Sequence, residues 1–127
     1  MGVGITSVLR RYGIGFLPVL LATPVWADPA PWHGAWAGDA AWCENADRIG
    51  SVTPAPIRLT ATEFLGYENS CEIADVQDLD MCAWVITMQC QAEGDVYDER
   101  RLVMVFEDRL WMWGGAAEPT SFTRCPE

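Results

Sequence analysis

The five cysteines are the residues with the most defined chemistry, because thiols form disulfides, bind metals or act as nucleophiles. An odd number allows at most two intramolecular disulfides and leaves one thiol over. Cys43 and Cys125 would tie the start of a domain to its end. Cys71 can pair with Cys82 or Cys90, but a strand containing both of these separates them by roughly 26 Å, which prevents them from pairing with each other. We favour the pairs Cys43–Cys125 and Cys71–Cys90.

The thiol left over by these pairs belongs to Cys82. It can be a small buried apolar group, a link between two molecules or a reactive group, and the first of these is the expectation. The sequence has no CxxC motif, so a redox function is not indicated.

Carboxylates and the single histidine indicate no catalytic or metal site. We expect the acidic and irregular segment 72–80 to be a solvated loop. Its acidic residues could surround a hard cation, but the segment lacks the glycine and terminal glutamate of a calcium loop. They are Glu72, Asp75, Asp78 and Asp80. His33 stands in a proline-containing segment without a strand to orient it, so we expect no catalytic triad and no zinc site. The sequence predicts no catalytic, metal or cofactor-binding residue and no enzyme.

Trp111 and Trp113 form the remaining candidate group. On a strand they share one face, with Leu110 and Met112 on the other. Exposed indoles suit a sugar or peptide surface, whereas tryptophans of a small barrel also pack its core. We therefore expect Trp111 and Trp113 to pack the core, with a binding surface formed by these two indoles as the alternative.

Residues 1–27 have the pattern of a cleavable signal peptide. Arg10 and Arg11 precede an apolar run, and Val25 and Ala27 are small residues at positions −3 and −1 of a cut after Ala27. Export to the periplasm or the medium would place the cysteines in an oxidising compartment. No later run reaches the roughly 18 apolar residues of a membrane span, so we expect no membrane insertion after cleavage.

The chain downstream of residue 27 is strongly acidic. It carries 18 carboxylates against six arginines and no lysine, a net charge of −12. The arginines are scattered, without a patch that could neutralise phosphates. Nucleic acid and anionic membrane surfaces are therefore excluded as expected partners.

The elements that position these residues are predicted to be short strands. Apolar runs recur at intervals near ten and are separated by turn residues, a pattern typical of β-sandwiches and small barrels. The clearest strand runs from 82 to 91, with Cys82, Trp84, Ile86, Met88 and Cys90 on its buried face. Runs at 100–106 and 110–113 continue it as a C-terminal meander. We predict an all-β fold, a small antiparallel barrel or sandwich of six to seven strands in one domain over 32–127, after a flexible lead-in at 28–31. In a barrel, residues near 36 would close against residues near 124.

The segment Gly34-Ala35-Trp36, followed by Trp42-Cys43, resembles the GxW opening of lipocalin-type barrels, in which the tryptophan plugs the closed end. With its cysteines and the terminal Arg124-Cys125-Pro126, the chain also resembles small exported, disulfide-bridged bacterial β-barrel proteins. The resemblance implies a barrel stapled by disulfides and assigns no activity.

Taken together, the sequence predicts a monomeric exported binding module that acts by surface contacts, with inhibitor-like action as one form. Its partner would be another envelope protein or a small ligand. One alternative is a small-molecule or cation binder that uses the Trp111/Trp113 face or the acidic segment 72–80. A small hydrolase is the last alternative.

Overall fold

The computed structural model describes residues 29–115 and 117–127, which form a closed antiparallel barrel of eight strands. Each strand pairs with the next along the chain, and the last pairs with the first, so that Trp36 lies opposite Arg124. The prediction of a small antiparallel barrel closed near these two residues is confirmed. The predicted signal peptide lies outside the described residues. The strands are β1 Gly34–Ala37, β2 Ile57–Leu59, β3 Glu63–Gly66, β4 Asn69–Asp78, β5 Ala83–Ala92, β6 Asp95–Phe106, β7 Arg109–Trp113 and β8 Thr120–Arg124.

Eight strands replace the predicted six to seven, and the largest difference is β4. Its second half was expected to be an irregular acidic loop. It is a strand because it pairs with β5 from Ser70↔Gln91 to Asp78↔Trp84, with a β-bulge between Ile73 and Asp75. The long strand β5 supplies backbone hydrogen-bond partners for β4. This pairing makes the segment a strand, although its acidic composition does not predict one. The predicted meander is confirmed as β5, β6 and β7.

Alternation along the strands fills the barrel with apolar side chains. On β5, Trp84, Ile86, Met88 and Cys90 are all buried and point inward. Val103 of β6, opposite Trp84, and Leu110 of β7, opposite Val105, are fully buried as well. Among the described residues, no polar or charged residue is fully buried. The interior is therefore a packed core.

Two tryptophans fill the end of the barrel where β1 begins and β8 ends. Trp36 has no exposed surface, and its indole Nε1 donates a hydrogen bond of 3.0 Å to the carbonyl of Trp32. The Arg124 guanidinium lies 4.2 Å from the centre of the Trp36 ring and donates to the carbonyls of His33 and Pro31. The last residue of the predicted flexible lead-in, Pro31, is thus hydrogen-bonded to the end of β8.

A 3₁₀ helix, η1, spans Ala40–Arg48 between β1 and β2. Asp39 caps its start by accepting a hydrogen bond of 2.9 Å from the amide of Ala41. Since η1 buries none of its own residues, its position depends on a disulfide from Cys43 to Cys125 and on the Arg58 guanidinium, which donates to the carbonyl of Ala46. In the part of the chain described here, no helix is long and apolar enough to cross a membrane.

The second disulfide joins Cys71 to Cys90, which lie directly opposite each other on β4 and β5. Both disulfides are the pairs favoured from the sequence. The expectation for Cys82 is wrong: it lies in the turn before β5, exposed, as the free thiol. Asp80, Met81 and Cys82 all have positive φ, so this turn is left-handed and ends before the inward alternation of β5 begins.

Candidate binding surface

Trp111 and Trp113 point away from the barrel interior. Leu110 and Met112, which alternate with them on β7, are buried in the core. Because successive side chains of a strand point to opposite faces, the two indoles must lie on the outer wall. Both are partly exposed. The expectation that Trp111 and Trp113 pack in the core is therefore wrong. Both indoles lie on the outer wall, where they can form a binding surface.

Apolar residues on the neighbouring strands extend this surface. Met104 lies opposite Trp111, and Leu102 lies opposite both Trp113 and Val85. Phe106, at the end of β6, is 65% exposed, and Met104 is 38% exposed. We call this surface the outer face. It comprises Val85, Leu102, Met104, Phe106, Trp111 and Trp113, with Arg100 and Arg109 at its two ends.

A shallow depression lies at each end of the outer face. One, of about 310 Å³, is lined by Trp113 together with Leu102, Val85 and Arg100. The other, of about 370 Å³, is lined by Trp111, Phe106 and Arg109 together with turn residues Glu107 and Asp108. Each depression thus combines an indole with a guanidinium group, which gives an apolar contact and a charged donor side by side.

Away from the outer face, η1 covers one part of the barrel wall. There η1 lies against the outward side of β1 and β2, held by the Cys43–Cys125 disulfide and by Arg58. No comparable segment among residues 29–115 and 117–127 is placed over the outer face, whose two depressions open to solvent. A contiguous exposed patch of large apolar residues is typical of an interaction site.

The acidic segment 72–80 does not form a compact cluster. Glu72, Asp75 and Asp78 are exposed along β4, and Asp80 lies in the turn. In the described portion of the chain, no group of three or more histidine, cysteine or carboxylate side chains is placed to hold a metal ion. The prediction of a loop in this segment is wrong, because residues 72–78 belong to β4.

His33 lies beside the closed end of the barrel. Its Nδ1 accepts a hydrogen bond of 3.2 Å from the amide of Ala30, and its ring packs edge-on against Trp32 at 4.3 Å. Burial lowers the pKa of His33 from its ordinary value of 6.5. These contacts give the imidazole a structural role in holding the segment before β1.

An ion pair inside the barrel was missed by the sequence reasoning. Arg101 faces inward opposite Ile86, and its guanidinium pairs with Glu99 at 2.5 Å and contacts the sulfur of Met112. Both charged side chains are 25% exposed. Gly114 leaves room for the pair, since a Cβ there would lie 2.9 Å from Nε of Arg101. The sequence pattern that could have predicted it is the alternation along β6. If Val103 points into the core, Arg101, two residues earlier, points inward as well.

In comparisons with known proteins, no family model matches the sequence, and no match was found among curated proteins or solved structures. The two disulfides, at separations of 82 and 19 residues, indicate an oxidising compartment.

Proposed function

We propose that this protein is an exported binding module whose outer face contacts another protein of the cell envelope. The observation that carries the proposal is the aromatic and aliphatic surface around the partly exposed Trp111 and Trp113, with Met104 and Phe106 exposed beside them, on the wall that η1 leaves uncovered. Export is supported by the signal-like residues 1–27 and by the two disulfides.

The packed interior favours surface contact over enclosure of a small molecule. Trp36, Ile86, Val103 and Leu110 are each at most 1% exposed and fill the space that a ligand inside the barrel would need. The depressions of the outer face are open and shallow, a shape that suits the side chains of a partner protein.

The test begins with the protein expressed from its full sequence and purified after export. It is immobilised and exposed to envelope extract, retained proteins are identified by mass spectrometry, and the leading candidate is purified and titrated by calorimetry. We expect the double variant Trp111→Ala/Trp113→Ala to lose about tenfold or more in affinity, because buried aromatic side chains dominate interface energies. Phe106→Ser, at a more exposed position, should also weaken binding.

Tyr67→Ala is the matched control, since Tyr67 is an aromatic residue that is 50% exposed outside the outer face. Its affinity should equal that of the unmodified protein. Binding that is indifferent to Trp111, Trp113 and Phe106, in variants with unchanged circular dichroism, would refute the proposal. If the partner is an enzyme, its turnover is measured with and without the bound module. A lowered turnover indicates an inhibitor, and an unchanged turnover indicates a module that only binds or carries the enzyme.

A further inference from the structure

The arginines of the described residues divide into two groups. Four of the six bind groups of their own chain through a side-chain amide, backbone carbonyls or carboxylates. These four are Arg48, Arg58, Arg101 and Arg124. Arg109 donates only to the hydroxyl of Ser121, at 2.8 Å, and Arg100 has no side-chain partner in the described part of the chain.

Both of these less engaged arginines lie on the outer face. Arg100 lies opposite Thr87 on the outward side of β6, and Arg109 lies opposite Phe106 at the start of β7. Six residues of strand separate position 100 from position 106, which is opposite Arg109, so the Cα positions of the two arginines lie roughly 20 Å apart along the strands. The apolar residues of the face lie between them.

The outer face itself carries no carboxylate, although the chain contains 18. Acidic residues border it: Asp98 lies beyond Arg100, Glu107 and Asp108 form the turn beside Phe106, and Asp75 of β4 is paired with Thr87, the residue of β5 opposite Arg100. No described carboxylate lies within 4.0 Å of either Arg100 or Arg109. The outer face is thus a locally cationic, apolar strip on an acidic molecule.

Building on the proposed function, we infer that the outer face binds an extended acidic segment of its partner protein. Two carboxylates of that segment, about six residues apart, pair with Arg100 and Arg109, since an extended chain covers roughly 20 Å in that length. Apolar side chains between them cover Trp111 and Trp113. Charge complementarity at both ends of an apolar strip fixes the position of the segment along the strands.

The composition of the face favours a peptide over an anionic glycan. Sugars that stack on indoles also require neighbouring amide or carboxylate groups for their hydroxyls. Val85, Leu102 and Met104 surround the indoles instead and suit apolar side chains. A symmetric pair of two outer faces is disfavoured as the occupant, because Arg100 and Arg109 of one copy would meet the same face of the other, which carries no carboxylate.

The experiment pans a displayed library of random twelve-residue peptides against the full, exported protein. We expect enriched peptides to carry two aspartate or glutamate residues about six positions apart, with apolar residues between them. A synthetic peptide of the enriched sequence should bind Arg100→Ala/Arg109→Ala about tenfold or more weakly. Arg48→Ala removes the same kind of charge from η1 and should leave the affinity unchanged. Replacing both acidic residues of the peptide by their amides should weaken binding to a similar extent.

Other outcomes overturn the inference in ways that separate it from the proposed function. Peptides that depend on Trp111 and Trp113 but lack acidic residues would refute the acidic segment and leave the binding module standing. Retention on a heparin column that requires Arg100 and Arg109, with no enriched peptide, would assign the face to an anionic glycan. Dimers in light scattering that dissociate in Trp111→Ala/Trp113→Ala would assign it to a second copy. An absence of enriched peptides, with envelope capture intact, would also refute the inference.

Discussion

Arg124 connects three parts of the molecule through one side chain. Its guanidinium stacks on Trp36, donates to the carbonyls of His33 and Pro31, and pairs with Asp108 at 3.4 Å. We expect Arg124→Ala to lower the free energy of unfolding by about 2–4 kcal/mol, because it removes two charge-assisted hydrogen bonds and a cation–π contact. The midpoint of urea unfolding measures the change.

Arg48→Ala is the comparison for this prediction. Arg48 is exposed on η1, where its side chain bonds only Asn45, and its removal should change the free energy of unfolding by less than about 0.5 kcal/mol. Equal effects of the two substitutions would mean that Arg124 does not close the barrel end as described.

His33 makes the stability of the closed end sensitive to pH. Because burial lowers its pKa below 6.5, the folded protein binds a proton less readily than the unfolded chain. The stabilising contribution is complete above pH 6.5 and is lost as the pH falls through the lowered pKa. Protonation of Nδ1 also removes the acceptor for the Ala30 amide.

As the single histidine, His33 can be titrated by nuclear magnetic resonance without ambiguity. We expect a pKa below 6.5, and we expect His33→Gln to lose less stability than the unmodified protein between pH 7 and pH 5. A measured pKa at or above 6.5 would contradict the burial of the ring.

Among the elements, η1 depends most on a covalent bond. It buries none of its residues, so the Cys43–Cys125 disulfide should account for most of its attachment. Removing a disulfide that closes 82 residues should cost about 4–5 kcal/mol in the chain-entropy model. In Cys43→Ser/Cys125→Ser we expect η1 amides to exchange with solvent rapidly while β5 amides remain protected.

Hydrogen exchange measured by mass spectrometry gives both readouts from one sample. Cys71→Ser/Cys90→Ser is the control, because this disulfide lies between β4 and β5 and closes only 19 residues. Its loss should cost about 3 kcal/mol and leave η1 in place. Protection of η1 that survives without Cys43–Cys125 would show that packing alone holds it.

The elements also show what the sequence can predict. Alternation from Trp84 to Cys90 was enough to locate β5, and the runs at 100–106 and 110–113 located β7 and the second half of β6, whereas residues 95–99 of β6 were missed. β4 was missed in part because its outward residues are acidic and its pairing partner, rather than its composition, makes it a strand. The sequence predicted that Trp111 and Trp113 share one face of a strand. It could not predict whether that face is buried, because this depends on the register of β7 with Leu102 and Met104 of β6.

Cys82 illustrates the same limit at the scale of one residue. The alternation of buried residues on β5, extended from Trp84 back to Cys82, predicts that Cys82 is buried. Instead, Cys82 is the last of three residues with a left-handed backbone conformation in the turn, and its thiol is exposed. Positive φ at Met81 and Cys82 has no signature in these residue types, since glycine, asparagine or aspartate would be expected there; only Asp80 is of such a type. The sequence likewise does not distinguish Arg100 and Arg109 from the other four arginines. The distinction requires the structure, in which those four bind groups of their own chain.

At the scale of the whole molecule, the net charge of −12 after residue 27 destabilises the compact state by self-repulsion. We expect raising sodium chloride from 20 mM to 500 mM to increase the free energy of unfolding by about 1 kcal/mol, because salt screens exposed charges. Urea unfolding at several salt concentrations measures it.

Glu72→Gln/Asp75→Asn provides the control for this effect. Both side chains are exposed on β4 without an ion-pair partner among the described residues, and neutralising them should reduce the salt dependence. A stability that falls with salt would mean that attractive ion pairs outweigh repulsion.

The pairing of β1 with β8 has a consequence for chain connectivity. Pro31 and Arg124 are hydrogen-bonded at 2.8 Å, so the two ends of the described barrel are neighbours. The turn at Glu93 and Gly94 is exposed and has open space around it. A short linker between the present ends and new ends at this turn should give a circular permutant with the same strand neighbours. The barrel is in this sense a ring, and the order in which its strands are synthesised is not required by its architecture.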